Sequence, residues 1–98
     1  MIKIGDVVTV MMANGAEYVG KLKEDRPGYV TLEDPKFVTM TEQGMGFANG
    51  IAATGMQDPK EVKLQNYSFV TETNPEVATA YRTAVSGLIT SPPPGLKI

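Results

Sequence analysis

The sequence predicts a small, mainly β domain, in which five bent antiparallel strands form a barrel and one α-helix follows them near the C-terminus. Three observations predict this fold: an Asn-Gly turn between two apolar runs, a glycine inside the second run, and a capped helix after the last strand. The chain has 98 residues, of which 42% are hydrophobic, enough for one compact core. We therefore predict a single domain over residues 1–90 and a flexible Pro-rich tail over 91–98.

The first hairpin is indicated by Asn14-Gly15, which lies between two apolar runs. Both residues tolerate positive φ, which a two-residue turn of type I′ requires. After the turn, mostly polar positions alternate with Tyr18, Gly20 and Leu22, so one face of the second strand is expected to meet a core. Gly20 weakens a strand unless the strand bends there, so it indicates a sharp bend at the corner of a barrel.

The middle of the chain contains a third strand and a long insertion. The strand begins at Tyr29, is broken or bulged at Asp34-Pro35, and resumes as far as Met40. Residues 41–57 are rich in glycine and methionine and follow no sustained period. We expect an insertion between strands, either functional or mobile, and a second hairpin around 48–50 is an alternative.

Two short strands and a helix complete the predicted domain. The strands lie on either side of a corner at Asn66, and the second runs from Tyr67 to Thr71. The helix, over 74–89, begins with Asn74 as its N-cap and Pro75 as its first residue. Its apolar stripe consists of Val77, Tyr81, Ala84, Val85 and Leu88. The predicted core of the strands consists of Val8, Val10, Tyr18, Leu22, Val30, Leu32, Val62, Leu64, Phe69 and Val70.

Several kinds of chemistry are disfavoured by the composition. The chain contains no cysteine and no histidine, so disulfides, thiolate metal sites and the commonest general base are missing. Adjacent acids such as Glu24-Asp25 point to opposite faces of a strand, so they make no acid–base pair. We predict no catalytic residue, no cofactor and no metal site, and hence a protein that is not an enzyme.

Charge and hydropathy limit where the protein is expected in the cell and which partners it is expected to bind. The N-terminal residues lack the pattern of a signal peptide, and no apolar run is long enough to span a membrane, so we expect a cytoplasmic protein with no membrane partner. The net charge of −2 argues against a broad electrostatic grip on phosphate. Five lysines could form a local basic rim or be scattered solvated residues: Lys21, Lys23, Lys36, Lys60 and Lys63.

With the strands placed, two segments resemble signatures of the Sm-like (LSm) proteins. Residues 5–34 contain an apolar strand, an Asn-Gly turn, an aromatic residue before a strand-bending glycine, and an apolar strand that ends in acidic residues. Residues 61–72 are similar to the shorter second signature, which forms a corner between the last two strands. The resemblance implies an Sm-like barrel that assembles into a homo-oligomeric ring of five to seven subunits.

Ring assembly also follows from the unpaired edges that the last two strands of an open five-stranded sheet would have. We expect the fourth strand of one subunit to pair with the fifth strand of the next. The candidate interface residues on these strands are Val62, Leu64, Tyr67 and Phe69.

The resemblance also implies a site for an RNA base. In the family this site uses an aspartate, an asparagine and a basic corner residue followed by glycine. Asp25 matches the aspartate, whereas Tyr29, Gln65 and Asn66 occupy the other three positions. These four residues are the candidate RNA-binding residues. Tyr29 could stack on a base or pack on its neighbours, and Gln65 with Asn66 could contact a base edge or serve as a polar corner.

Two functions therefore remain open. The first is a ring that binds single-stranded RNA near its central pore through stacking and base-edge hydrogen bonds. The second is a structural or scaffolding ring that binds a protein partner and no nucleic acid, through the insertion and the helix. The missing basic corner residue and the negative net charge favour the second function, and the family resemblance favours the first.

Overall fold

The computed structural model describes residues 2–48 and 50–86, and the predicted mainly β fold is confirmed. The strands are β1 (Val7–Met12), β2 (Glu17–Arg26), β3 (Tyr29–Thr41), β4 (Gly44–Ala48), β5 (Glu61–Leu64) and β6 (Tyr67–Glu72), and the helix is α1 (Pro75–Ser86). All strand pairs are antiparallel, in the order β4-β3-β2-β1-β6, and β5 also pairs with β3. The predicted helix end at 87–89 and the tail at 91–98 lie outside the described residues.

Within residues 2–48 and 50–86 the sheet has six strands, one more than predicted, because the insertion at 41–57 contributes β4. The first part of β3 pairs with β5, from Val30 opposite Leu64 onward. The second part of β3 pairs with β4, which returns after a turn at residues 42–43. The alternative hairpin around 48–50 is therefore wrong in position. A glycine-rich strand is hard to recognise from sequence. Its backbone can pair with a neighbouring strand, but its side chains show no alternation of apolar and polar residues.

The sheet is bent but not closed, so the predicted closed barrel is corrected to an open sheet. Within residues 2–48 and 50–86, β5 pairs only with β3, and β6 pairs only with β1. β5 is antiparallel to β3, and β6 is antiparallel to β1. Because β1 and β3 are both antiparallel to β2, β5 and β6 run in the same direction. The chain therefore continues from one sheet edge to the other through residues 65–66 and does not reverse into a hairpin.

The bend lies where β2 passes the interruption of β3. The register runs from Val19 opposite Lys36 to Lys21 opposite Glu33, so β3 has one extra residue there. Asp34 accommodates this bulge with a φ of 49°. A Cβ on Gly20 would lie 2.9 Å from the Cβ of Leu32, so no other residue fits this close approach.

The first hairpin forms as predicted, but its turn is of another type. Its loop contains three residues, Ala13 to Gly15, and only Gly15 has a positive φ, of 94°. The Met12 carbonyl accepts a hydrogen bond from the Gly15 N–H at 3.0 Å, and the Met12 N–H donates to the Ala16 carbonyl. The loop is thus a tight turn followed by a left-handed glycine, the second common hairpin design.

Two apolar clusters lie on opposite faces of the sheet. We call the first the strand core, which contains Val8, Val10, Leu22, Val30, Leu32 and Leu64, with Tyr18, Val62, Tyr67 and Val70 partly buried against it. We call the second the helix core, which contains Val7, Val19, Val38, Phe47, Ala78, Ala80 and Tyr81. The strand core includes every predicted core residue except Phe69, which is 50% exposed. Phe69 and Val70 are adjacent on β6, so only one of them can face the strand core.

The helix begins as predicted and buries a somewhat different stripe. The Asn74 side chain accepts a hydrogen bond from the Glu76 N–H at 2.8 Å, as an N-cap residue does. Tyr81 is buried as expected, whereas Val85 is exposed and the small residues Ala78 and Ala80 are buried instead. Leu88 lies outside the described residues. Small side chains at the contact let the helix lie close to the sheet.

Candidate functional site

The four candidate RNA-binding residues lie in two places: Asp25 and Tyr29 are at the ends of β2 and β3 beside the turn at 27–28, and Gln65 and Asn66 form the β5–β6 corner. Asp25 pairs with Val30 and Arg26 pairs with Tyr29 across β2 and β3. Val30 also lies opposite Leu64, so Tyr29 and Gln65 flank the same pair at one end of the β3–β5 ladder. The structure therefore brings Tyr29 and Gln65 together although they are far apart in the chain. We call Tyr29, Lys63, Gln65 and Asn66 the corner site, whereas Asp25 pairs with Val30 and so lies on the other face of the sheet from Tyr29.

Lys63 is part of the corner site, although its role cannot be seen in the sequence. Its Nζ atom lies 4.5 Å from the centroid of the Tyr29 ring, a cation–π distance. Lys63 lies opposite Thr31 in the register, which makes Tyr29 its diagonal neighbour on the same face. Tyr29 is half-buried and Lys63 is exposed. A positive charge therefore lies near Gln65, the position where the family resemblance implies a basic residue.

The corner itself is held by backbone geometry. Asn66 has a φ of 61°, a left-handed conformation that asparagine tolerates better than most residues. Its carbonyl accepts a hydrogen bond from the Ala13 N–H at 3.1 Å, which fixes the corner to the end of β1. The side chains of Gln65 and Asn66 are exposed. The backbone of Asn66 thus serves the turn, and both amide side chains face the solvent.

The charges around the corner site are mixed. Asp25 is exposed, and the Arg26 Nε lies 3.7 Å from a Glu24 carboxylate oxygen. The other Glu24 oxygen accepts a hydrogen bond from the Thr31 hydroxyl at 3.0 Å. Further along, Lys23 and Glu61 form an ion pair at 2.6 Å, and this hydrogen bond raises the pKa of Lys23.

The candidate interface residues differ in how much of each side chain is exposed and could contact another chain. Leu64 is buried in the strand core, and Val62 and Tyr67 are partly buried against it. These three side chains therefore stabilise the core of the chain itself, and β5 and β6 offer mainly their backbone edges. Phe69 is the exception, since half of its surface is exposed beside the free edge of β6.

One lysine of the predicted basic rim is neither on a rim nor solvated. The Lys36 side chain is only 6% exposed, and its Nζ donates to the carboxylate of Asp58 at 3.0 Å. Nearby, the Asp34 N–H donates to the Lys60 carbonyl at 2.8 Å. These two contacts attach the residues that follow the insertion to β3 at its bulge. Sequence reasoning missed them because strand alternation does not reveal which loop covers a residue.

Across residues 2–48 and 50–86, no group of three or more histidine, cysteine, aspartate or glutamate side chains is placed to hold a metal ion. In that same portion, no helix has the length and apolar character needed to cross a membrane.

Comparison with known proteins adds no assignment. Neither a scan against protein-family models nor a search of curated proteins finds a match to this chain. The geometry of the corner site and the free strand edges therefore carries the functional argument.

Proposed function

We propose that this protein forms a homo-oligomeric ring through β5 and β6 and binds single-stranded RNA at the corner site. The observation that carries the proposal is the pair of free edges: in the described part of the chain, β5 and β6 lie at opposite sides of one bent sheet and each has a single strand partner. Unpaired strand edges expose N–H and C=O groups that another copy of the chain can satisfy. The similarity of residues 5–34 and 61–72 to Sm-like signatures supports a closed ring of five to seven subunits.

The edge of β6 has features that suit an interface. Phe69 offers exposed aromatic surface, which is enriched in protein–protein interfaces. Ser68 has no partner in the β1–β6 register, which passes from Phe69 to Tyr67 without it. Its backbone is therefore available to a neighbouring subunit. Pairing along β6 would bury the Phe69 ring against the next copy.

The corner site has the groups that single-stranded RNA requires. The Tyr29 ring can stack on a base, a contact worth about 1–3 kcal/mol that tolerates any base. The exposed amides of Gln65 and Asn66 can donate to and accept from a base edge. A ring repeats this weak site in every subunit, and a strand that contacts several copies gains affinity through avidity.

Assembly is tested by native mass spectrometry at micromolar subunit concentration. The wild-type chain should give one closed oligomer, and Ser68→Pro should give monomers because proline removes an N–H that the next subunit needs. Ser68→Ala is the matched control and should assemble like wild type. A wild-type protein that remains monomeric would refute the ring.

RNA binding is tested by fluorescence anisotropy with labelled oligo-U, oligo-A and mixed RNA at low salt. Tyr29→Ala should abolish binding, while Gln65→Arg should strengthen it by adding a charge-assisted hydrogen bond. Tyr29→Phe keeps the stacking surface and should bind about as well as wild type.

A scaffolding ring is the second candidate, and exposed methionines favour it. Met40 and Met56 are each 76% exposed and lie at the edge of, and within, the 41–57 insertion. Flexible methionine side chains suit adaptable protein-binding surfaces. The scaffolding function would replace the RNA function if two results were obtained together. The wild-type ring would bind no RNA at tens of micromolar, and Gln65→Arg would create binding.

A further inference from the structure

We infer that Lys63 covers the Tyr29 ring in the free protein and moves to an RNA phosphate when a base stacks on that ring. This inference rests on the proposed RNA binding and specifies how the site takes its ligand. Two observations carry it: the 4.5 Å approach of the ammonium to the ring, and the ionic environment around it.

The environment leaves the charge of Lys63 available. In the part of the chain that the structure describes, Lys63 forms no ion pair. The nearest acid on its own strand, Glu61, is engaged by Lys23 at 2.6 Å. Glu24 lies on β2, beyond β3; its carboxylate accepts a hydrogen bond from the Thr31 hydroxyl and lies near Arg26. Glu33 is the other diagonal neighbour of Lys63 on β3, and in the described part of the chain it forms no ion pair with Lys63, so the ring is the contact that positions Lys63.

A base and the ammonium compete for the same surface. Exposed cation–π contacts are weaker than the stacking of a base on an aromatic ring. A stacked base therefore displaces the ammonium, which stays attached to β5 by a flexible four-carbon chain. Every base in a single strand is linked to a phosphate, and that phosphate is the strongest nearby acceptor for the released charge.

This exchange predicts opposite effects of Lys63 at low and high salt. At low salt the phosphate contact dominates, so Lys63→Gln should weaken RNA binding severalfold. At high salt the phosphate contact is screened, and Lys63→Gln should bind more tightly than wild type because nothing covers the ring. The slope of log Kd against log salt should become shallower by about 0.7 for each subunit that holds RNA.

The first experiment measures the free protein by NMR. The ring current of Tyr29 should shift the Lys63 ε-methylene protons upfield, and Tyr29→Leu should remove that shift. A normal Lys63 shift in the free wild-type chain would overturn the inference without touching the proposed function.

The second experiment titrates the RNA oligonucleotide that binds most tightly, from 50 mM to 500 mM salt. The binding curves of wild type and Lys63→Gln should cross, and the ε-methylene shift should move downfield as RNA is added. Lys60→Gln is the matched control, because Lys60 is an exposed lysine without a ring contact. It should lower affinity slightly, with no crossing.

The outcomes separate the two proposals. RNA binding with an unchanged Lys63 signal, or with parallel salt curves for Lys63→Gln and Lys60→Gln, overturns the exchange and leaves RNA binding standing. A wild-type ring that binds no oligonucleotide overturns both.

Discussion

The strand core and the helix core share one sheet but are closed by different parts of the chain. The buried residues of the strand core all come from strands, which bend so that Leu64 of β5 and Val8 of β1 belong to one cluster. The helix core lies on the other face, where strand residues such as Val19 meet Ala78 and Tyr81 of α1. The first core follows from strand alternation, and the second exists only once α1 has packed on the sheet.

Tyr81 joins the helix core to the bend of the sheet. Its ring is 1% exposed and meets Phe47 edge to face, with 6.3 Å between the ring centroids. Its hydroxyl lies 2.8 Å from the Asp34 carbonyl and 3.1 Å from the Glu33 carbonyl, at the β3 bulge. The bulge interrupts the ladder there, and the tyrosine hydroxyl satisfies the carbonyls that result. Burial raises the pKa of Tyr81, and the charge of Asp34 adds to this effect.

The largest expected effect comes from removing α1. A chain ending at Thr73 leaves Val7, Val19, Val38 and Phe47 exposed to water, so we expect it to lose most of the roughly 5–15 kcal/mol that stabilises a domain of this size. Binding of a hydrophobic dye and size-exclusion chromatography measure the exposed surface and aggregation. A chain ending at Ser86 retains α1 and is the control, and it should keep these side chains covered. An equally stable, non-aggregating shorter chain would show that the strand core suffices alone.

Truncating Tyr81 should have the next largest effect. Tyr81→Ala removes a fully buried ring, so the free energy of unfolding should fall by about 3–5 kcal/mol in urea denaturation. Tyr81→Phe keeps the ring and loses the hydroxyl contacts at the bulge, which should cost about 1–2 kcal/mol. Equal losses for both variants would show that the hydroxyl, not the ring, holds the helix core.

The pH dependence of stability distinguishes the contribution of the Tyr81 hydroxyl from that of its ring. Because the pKa of Tyr81 is higher in the folded state than its ordinary value of 10.0, the folded chain keeps this proton where the unfolded chain loses it. Wild-type stability should therefore hold below about pH 10 and fall above it, by up to about 1.4 kcal/mol per pH unit. Tyr81→Phe should lack this component. Parallel profiles for the two proteins between pH 9 and 11 would contradict the raised pKa.

A substitution at the bend tests the strand core separately. Gly20→Val forces a side chain against Leu32 and should lower the free energy of unfolding by about 1–3 kcal/mol. Lys21→Val places the same side chain at the next, exposed position and should have little effect on stability. Melting temperatures followed by circular dichroism measure both variants. An unchanged melting temperature for Gly20→Val would mean that the strands do not need their close approach.

The smallest expected effect compares two ion pairs. Asp58→Asn leaves the buried Lys36 without its carboxylate and should cost about 1 kcal/mol, since Asp58 itself is largely exposed. Glu61→Gln breaks the exposed pair with Lys23 and should leave stability unchanged within error. Urea denaturation at 0.15 M salt measures both. A larger loss for Glu61→Gln would reverse this ranking of buried and exposed pairs.

The sequence predictions that the structure confirms depend on patterns among residues that are close together in the chain. Alternation of apolar residues placed nine of the ten predicted core residues in or against the strand core, and the tenth, Phe69, violated alternation with its neighbour Val70. The Asn74 cap and the interruption at Asp34 were readable because each acts on the backbone of adjacent residues. The turn at Gly15 was placed correctly, but its type was not. The loop has three residues and not two, and the Asn-Gly pair does not specify the length of the loop.

The sequence by itself determined the mainly β class, the first hairpin, the bend at Gly20 and the start of α1, because each depends on residues within a few positions of one another. Only the tertiary structure decided which distant residues meet. Strand β4, the contact of Lys63 with Tyr29 and the burial of Lys36 under Asp58 all depend on strand register and loop placement. A shift of one residue in the β3–β5 register would move Lys63 to the opposite face of the sheet from Tyr29, and no local pattern contains that information.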